Sequence, residues 1–285
     1  MKKKSKLFVL PAFVLYTALM ILPIGGAFYL SLTNWNGIAS DYHFIGLANY
    51  RNMLSDVRLG NAILVTLKIT VTVSLSVNIF GLFFAILLNK QSKMAAVSRS
   101  LFFLPYILST VAISFIWLSI LSYTGVLNSI LDMVGLGNLV NDYIGNTRNA
   151  ITSICIVEIW RTLGFYIVLY LASIQTVPTE LYESCMIDGG SSWQKFRYVT
   201  LPMIIPGITI AVILSIMTEM RQYDIVKVLT NGGPGYSTET ITYNIVTQAF
   251  GNNMLGYSSA IAVFLFVIIA AISILQIKIS ERLEG

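Results

Sequence analysis

The sequence predicts an all-α membrane protein with six transmembrane helices and both termini in the cytoplasm. Three observations carry that reading. Of 285 residues, 56% are hydrophobic and only 11% charged, where a soluble domain carries about 25% charged residues. Six stretches are long and apolar enough to span a bilayer, which takes about 20 residues each. The Lys and Arg residues between them are unevenly shared, and basic residues collect on the cytoplasmic side.

The first stretch, about 8–31, follows Lys2, Lys3, Lys4 and Lys6. It is too long for the apolar core of a signal peptide and has no small-residue cleavage site after it, so it reads as a retained span. The others fall at about 62–88, 101–123, 150–174, 203–221 and 256–277. Pro11, Pro23, Pro105 and Pro206 lie in or near them, as membrane helices tolerate. With the N-terminus inside, the inner segments hold Lys2, Lys3, Lys4, Lys6, Lys90, Lys93, Arg99, Lys195, Arg197, Lys278 and Arg282. The outer ones hold Arg51, Arg58, Arg148, Arg221 and Lys227. A seventh span at 124–140 is disfavoured by Asn128, Asp132 and its glycines, and reads as a helix on the outer surface.

The charge pattern lacks the basic stripe of a nucleic-acid binder. Cys155 and Cys185 form no spaced motif, which argues against a disulfide or a metal site. His43 is the single histidine and sits in an outer loop. No Ser/His/Asp set is evident, so the chain is not read as an enzyme. Lys68 sits near the outer end of the second span, where its ammonium can snorkel to the headgroups. Asn89 and Lys90 read as ordinary residues of the inner boundary.

The inner loop 175–202 carries the strongest local signals. Thr179 is placed to cap a helix, with Glu180 and Glu183 in or near its first turn at the positive dipole end. Gly189 and Gly190 break that helix. Ser191 or Ser192 starts a second, 193–199, which Leu201 and Pro202 end before the fifth span. The loop reads as a helix–turn–helix on the cytoplasmic face.

Its spacing is specific: Glu183-Ser184-Cys185, three residues, Gly189, nine residues, Val199, one residue, Leu201-Pro202. Two further segments stand out, Leu229-Thr-Asn-Gly-Gly-Pro-Gly-Tyr-Ser-Thr-Glu-Thr240 and Phe44-Ile-Gly-Leu-Ala-Asn-Tyr50. Together they resemble the carbohydrate-uptake permeases of ABC importers, of the maltose, multiple-sugar and glycerol-phosphate kind, whose "EAA" loop has this spacing. Ser184 and Cys185 stand where that family has two alanines; both are small enough for close packing.

The resemblance implies a fold like the type I ABC importer permeases, and a single permease domain over 1–285 in the cytoplasmic membrane. It implies a permease subunit with no cofactor of its own, moving a carbohydrate, an oligosaccharide in the first instance, by alternating access. ATP and Mg would reside on two partner ATPase subunits. A second permease chain and an extracytoplasmic sugar-binding protein would complete the machine. Glu183, Ser184, Cys185, Asp188, Gly189, Leu201 and Pro202 would couple the spans to the ATPase. No Gly-x-x-x-x-Gly-Lys-Ser/Thr phosphate loop occurs in the chain, in keeping with a separate source of energy.

Ionisable groups inside spans default to function. Glu158 and Arg161 share a face of the fourth span, beside Trp160, Phe165 and Tyr166. They either pair with each other or line a sugar cavity that the resemblance places at mid-membrane. Glu219 and Gln222, near the outer end of the fifth span, either line that cavity or end a helix at the headgroups. The rival reading is a secondary transporter driven by an ion gradient, with Glu158 and Glu219 as ion ligands. That class predicts inverted repeats, and the sequence has no evident internal repeat.

Overall fold

The protein is described here by a computed structural model covering residues 2–90 and 92–284, with side chains from residue 9 onward except 281, 283 and 284. The side chains of Lys2, Lys3, Lys4 and Lys6 lie outside the described residues. The chain is almost wholly helical; an isolated bridge pairs Thr33 with Phe44. Among the described residues, five helical stretches are long and apolar enough to cross a membrane: Val9–Leu30, Val57–Leu88, Thr110–Met133, Thr147–Gln175 and Leu255–Ser280. A bent pair, Ser192–Met203 and Ile205–Leu229, makes a sixth if its halves form one span.

Four features differ from the sequence reading. The third span, expected at 101–123, is not one helix. Lys93–Ile107 ends at an extended Leu108, and Thr110–Leu121 starts afresh. Pro105 has no N–H for the carbonyl four residues back, so the ladder is already weakened there. The apolar stretch of spanning length is Thr110–Met133, so the expected surface helix is reduced to Val126–Met133 plus a short turn at Gly137–Leu139. Leu201 and Pro202 do not end a helix. The chain stays helical through a wide turn at Phe196–Thr200 and on to Met203, and breaks at Ile204. The two halves meet there at 68°. Pro202 and Pro206 flank the break, and each removes a donor from the ladder. Thr179 does not cap; it is the first helical residue, preceded by Pro178.

The chain divides into two compact units. The first comprises 1–60 and 241–268. In it the Phe44–Tyr50 segment ties down the end of the first helix. The Asn49 amide, 5% exposed, donates to the carbonyls of Ser31 and Thr33 at 2.8 Å each. The Tyr50 and Ser31 hydroxyls are 2.8 Å apart, and Ile45 N–H donates to Leu32 at 2.8 Å. Carbonyls at a helix end have no intrahelical partner, and Asn49 supplies one. Asp56 starts the next helix by accepting from Leu59 N–H, and its other oxygen accepts from the Tyr257 hydroxyl at 2.7 Å.

The second unit comprises 61–240 and 269–285. The Lys93–Ile107 helix packs along Thr147–Gln175. At Gly164 the two backbones approach so closely that a Cβ would collide with the Phe102 carbonyl. The Val57–Leu88 helix turns a polar stripe inward, Thr66, Thr70, Ser74 and Asn78. Asn78 joins three helices: it accepts from the Tyr170 hydroxyl at 2.6 Å and donates to Ser215 at 2.9 Å. Away from water each such bond replaces a costly unpaired group.

Candidate functional site

The inner loop builds a short projecting helix, Thr179–Ile187. It ends in the two-bond pattern of a left-handed C-cap. Gly189, at φ +77°, donates to the Met186 carbonyl at 3.0 Å, and Gly190 donates to Cys185 at 2.8 Å. A side chain on Gly189 would have room but would suffer the left-handed backbone; one on Gly190 would meet Cys185. Ser191 then opens the next helix with a reciprocal cap: its hydroxyl accepts from Gln194 N–H, and the Gln194 side chain accepts from Ser191 N–H. The Tyr182 hydroxyl lies 3.0 Å from that of Thr200, holding the helix to the start of the fifth span.

Of the seven residues singled out in this loop, Glu183, Ser184, Asp188, Gly189 and Pro202 are exposed and Cys185 and Leu201 half-buried. Around them Leu181, Met186, Ile187, Trp193 and Tyr198 are also exposed, Ile187 at 86%. These apolar groups stand among Glu180, Glu183, Asp188, Lys195 and Arg197. Several large apolar side chains exposed among charges within one short loop are what an interaction surface presents.

The second set of candidates comes together inside the helical bundle. Glu158 and Arg161 are 0% and 9% exposed. They form a two-pronged ion pair: Arg161 Nε donates to Glu158 Oε2 at 3.0 Å, and an Nη to Oε1. One helical turn of spacing puts them on one face. Glu219, 1% exposed, lies within hydrogen-bonding reach of Glu158 and of Gln222, and its Oε2 has no partner. Glu219 therefore sits beside the ion pair, within the electrostatic reach of both the Glu158 carboxyl and the Arg161 guanidinium. Glu158 is about 25 Å along the helix from Gln175, at ~1.5 Å per residue, so the cluster lies well inside the span. Of the aromatic candidates, Tyr166 is buried, Phe165 stacks on Tyr106 with centroids 4.7 Å apart, and the half-exposed Trp160 meets Trp117 edge-on at 5.5 Å.

Sequence reasoning missed a recess of about 440 Å³ lined by Val111, Phe115, Tyr223, Asp224, Lys227 and Val228. It forms where the short Asp224–Leu229 helix packs on Thr110–Leu121. It combines two aromatic rings with an acid and a base, the mixed lining that orients small polar ligands. The Asp-x-x-Lys spacing after the fifth span was the available signal. Gly164 was also missed; one glycine among apolar residues gives no sign of what it faces.

Residues 77–285 match the family described as the binding-protein-dependent transport system inner membrane component. This chain belongs to that family. The permease is 32% identical over 278 residues to the probable starch degradation products transport system permease protein of Thermoanaerobacterium thermosulfurigenes, covering 98% of this chain and 94% of that one. It is 33% identical over 259 residues to the multiple sugar-binding transport system permease protein of Streptococcus mutans, covering 91% and 88%. Its fold matches a chain from the crystal structure of a bacterial alginate ABC transporter in complex with an alginate pentasaccharide-bound periplasmic protein. The TM-score is 0.86 at 20% identity, over 100% of this chain and 96% of that one. The permease is therefore a multi-pass inner-membrane protein with the fold of a type I ABC importer subunit.

Proposed function

We propose that the permease is one half of the membrane pathway of an ATP-driven importer for a neutral carbohydrate. Both termini lie in the cytoplasm, as the distribution of Lys and Arg supports. The second half is another permease chain. Two ATPase subunits, carrying ATP and Mg, bind at the cytoplasmic face, and an extracytoplasmic binding protein delivers the sugar. The projecting helix Thr179–Ile187, with exposed Glu183 and Ile187 and a rigid glycine cap, carries this reading. Such a helix seats in a cleft of a partner, and its tie to Thr200 passes the partner's motion to the bent fifth span.

The starch-product and multiple-sugar names of the two relatives support a sugar cargo. Its neutrality follows from Arg161, which Glu158 already engages through two nitrogens with Glu219 beside the pair. An anionic sugar would have to displace a buried carboxylate. Phe115 and Tyr223 offer ring faces to a sugar, and Asp224 and Lys227 offer hydrogen bonds to its hydroxyls. Glu158, Trp160, Arg161, Phe165, Tyr166, Glu219 and Gln222 then meet the sugar as the helices shift between outward and inward access.

The test is the reconstituted complex with Gly189→Val or Glu183→Ala. A side chain beyond Cβ at φ +77° costs about 1–2 kcal/mol and unwinds the cap. Both variants insert normally, yet the loaded binding protein no longer stimulates ATP hydrolysis. Normal coupling in both would reject the assignment. Uptake by the permease alone, under an ion gradient and without an ATPase, would instead establish a secondary transporter.

A further inference from the structure

Three chain segments meet in a polar recess of about 430 Å³ at the end of the bundle from which the projecting helix leaves. It is lined by Asn89, Lys90, Arg99 and Gln175. Two of these side chains are cations and two are amides, and residues 81–107 contain no Asp or Glu. Arg99 is half-buried, and its Nε–H donates to the Ala95 carbonyl at 3.2 Å, which orients the guanidinium. Asn89, Lys90 and Gln175 are exposed at the rim.

The height of the recess matters as much as its charge. Lys90 follows the last residue of Val57–Leu88 by two positions, Arg99 precedes the apolar run at Leu101 by two, and Gln175 is the last residue of Thr147–Gln175. All three mark the level at which apolar sequence stops. In a bilayer that is the headgroup level, where lipid phosphates lie. A soluble anion would meet the same charges, but only a lipid phosphate is held at this depth by the bilayer itself.

We propose that this recess binds the phosphodiester of an anionic lipid headgroup, with Lys90 and Arg99 on the phosphate oxygens and Asn89 and Gln175 on the headgroup hydroxyls. Basic pockets between membrane helices on the cytoplasmic side suit such headgroups. The site lies at the foot of the helix before the 175–202 loop, so an occupying lipid braces the base of that loop. The inference depends on the chain being multi-pass and not on the identity of the cargo.

The experiment uses the purified full-length permease, stripped of lipid in neutral detergent. It is titrated separately with phosphatidylglycerol, phosphatidylcholine and inorganic phosphate, and bound lipid is counted by native mass spectrometry alongside the melting temperature. Phosphatidylglycerol is retained in preference to phosphatidylcholine, and inorganic phosphate is inert. Each basic residue near the headgroups contributes about fivefold. Lys90→Gln therefore lowers the preference about fivefold, and Lys90→Gln with Arg99→Gln about thirtyfold. Lys93→Gln, in the same segment but outside the recess, leaves it intact. Lys90→Gln alone, at an exposed helix end, keeps the test valid if the double variant fails to fold. Equal retention of the two lipids overturns the proposal, as does an equal loss in Lys93→Gln. Binding of inorganic phosphate as tight as that of phosphatidylglycerol would make it a soluble-anion site. An unchanged lipid preference with lost ATPase association would make it part of the docking surface.

Discussion

The buried Glu158–Arg161–Glu219 cluster makes an ordered prediction about three single substitutions. Arg161→Met removes the base paired with Glu158, whose charge Glu219 also feels. Breaking a buried pair by deleting one partner costs about 3–5 kcal/mol. Glu158→Gln is milder. The guanidinium keeps Glu219 as a neighbour and the amide oxygen still accepts a hydrogen bond, so the loss is about 1–3 kcal/mol. Glu219→Gln is mildest. It leaves the two-pronged pair intact and removes the carboxyl group whose Oε2 has no partner, so the change stays within ~1 kcal/mol of zero. The assay is reversible denaturation of the purified permease in mixed micelles, followed by tryptophan fluorescence. Trp160 stands one residue from Arg161 and reports locally. The reasoning is refuted if Glu219→Gln costs as much as Arg161→Met, or if Arg161→Met costs under ~1 kcal/mol.

Two further outcomes follow from close packing. Gly164→Ala pushes a Cβ into the Phe102 carbonyl and costs about 1–3 kcal/mol as overpacking; Gly164→Val costs more, and both lower the melting temperature, whereas Gly60→Ala, in open space, does not. Asn49→Ala removes two hydrogen bonds from the Ser31 and Thr33 carbonyls and costs about 1–3 kcal/mol. Its signature is faster amide exchange at Thr33, Asn34 and Ile45, with exchange in the Thr147–Gln175 helix unchanged.

The loop between the fourth and fifth spans shows how much of the site was legible. The helix start near Thr179, the glycine break and the serine cap were all readable, because each is decided within four or five residues. Which serine caps was open, and Ser191 does so because its reciprocal partner Gln194 lies three residues on. The stop at Leu201–Pro202 was misread. A proline removes one bond but does not fix where a helix bends, and the bend came at Ile204, between two prolines. The break at Leu108 was missed for the same reason.

The sequence by itself determined the class of protein, the approximate spans and the projecting helix with its glycine turn. Apolar length, charge distribution and capping chemistry are local quantities, each written in a short window of residues. Only the tertiary structure decided that Glu158 and Arg161 hold each other, that Glu219 joins them from another helix, and that Asn78 ties Tyr170 to Ser215. It also decided that Lys90, Arg99 and Gln175 line one recess. These pairings depend on the rotation and depth of each helix against its neighbours. Contacts such as Gly164 on the Phe102 backbone set those, and no single segment of sequence contains both partners.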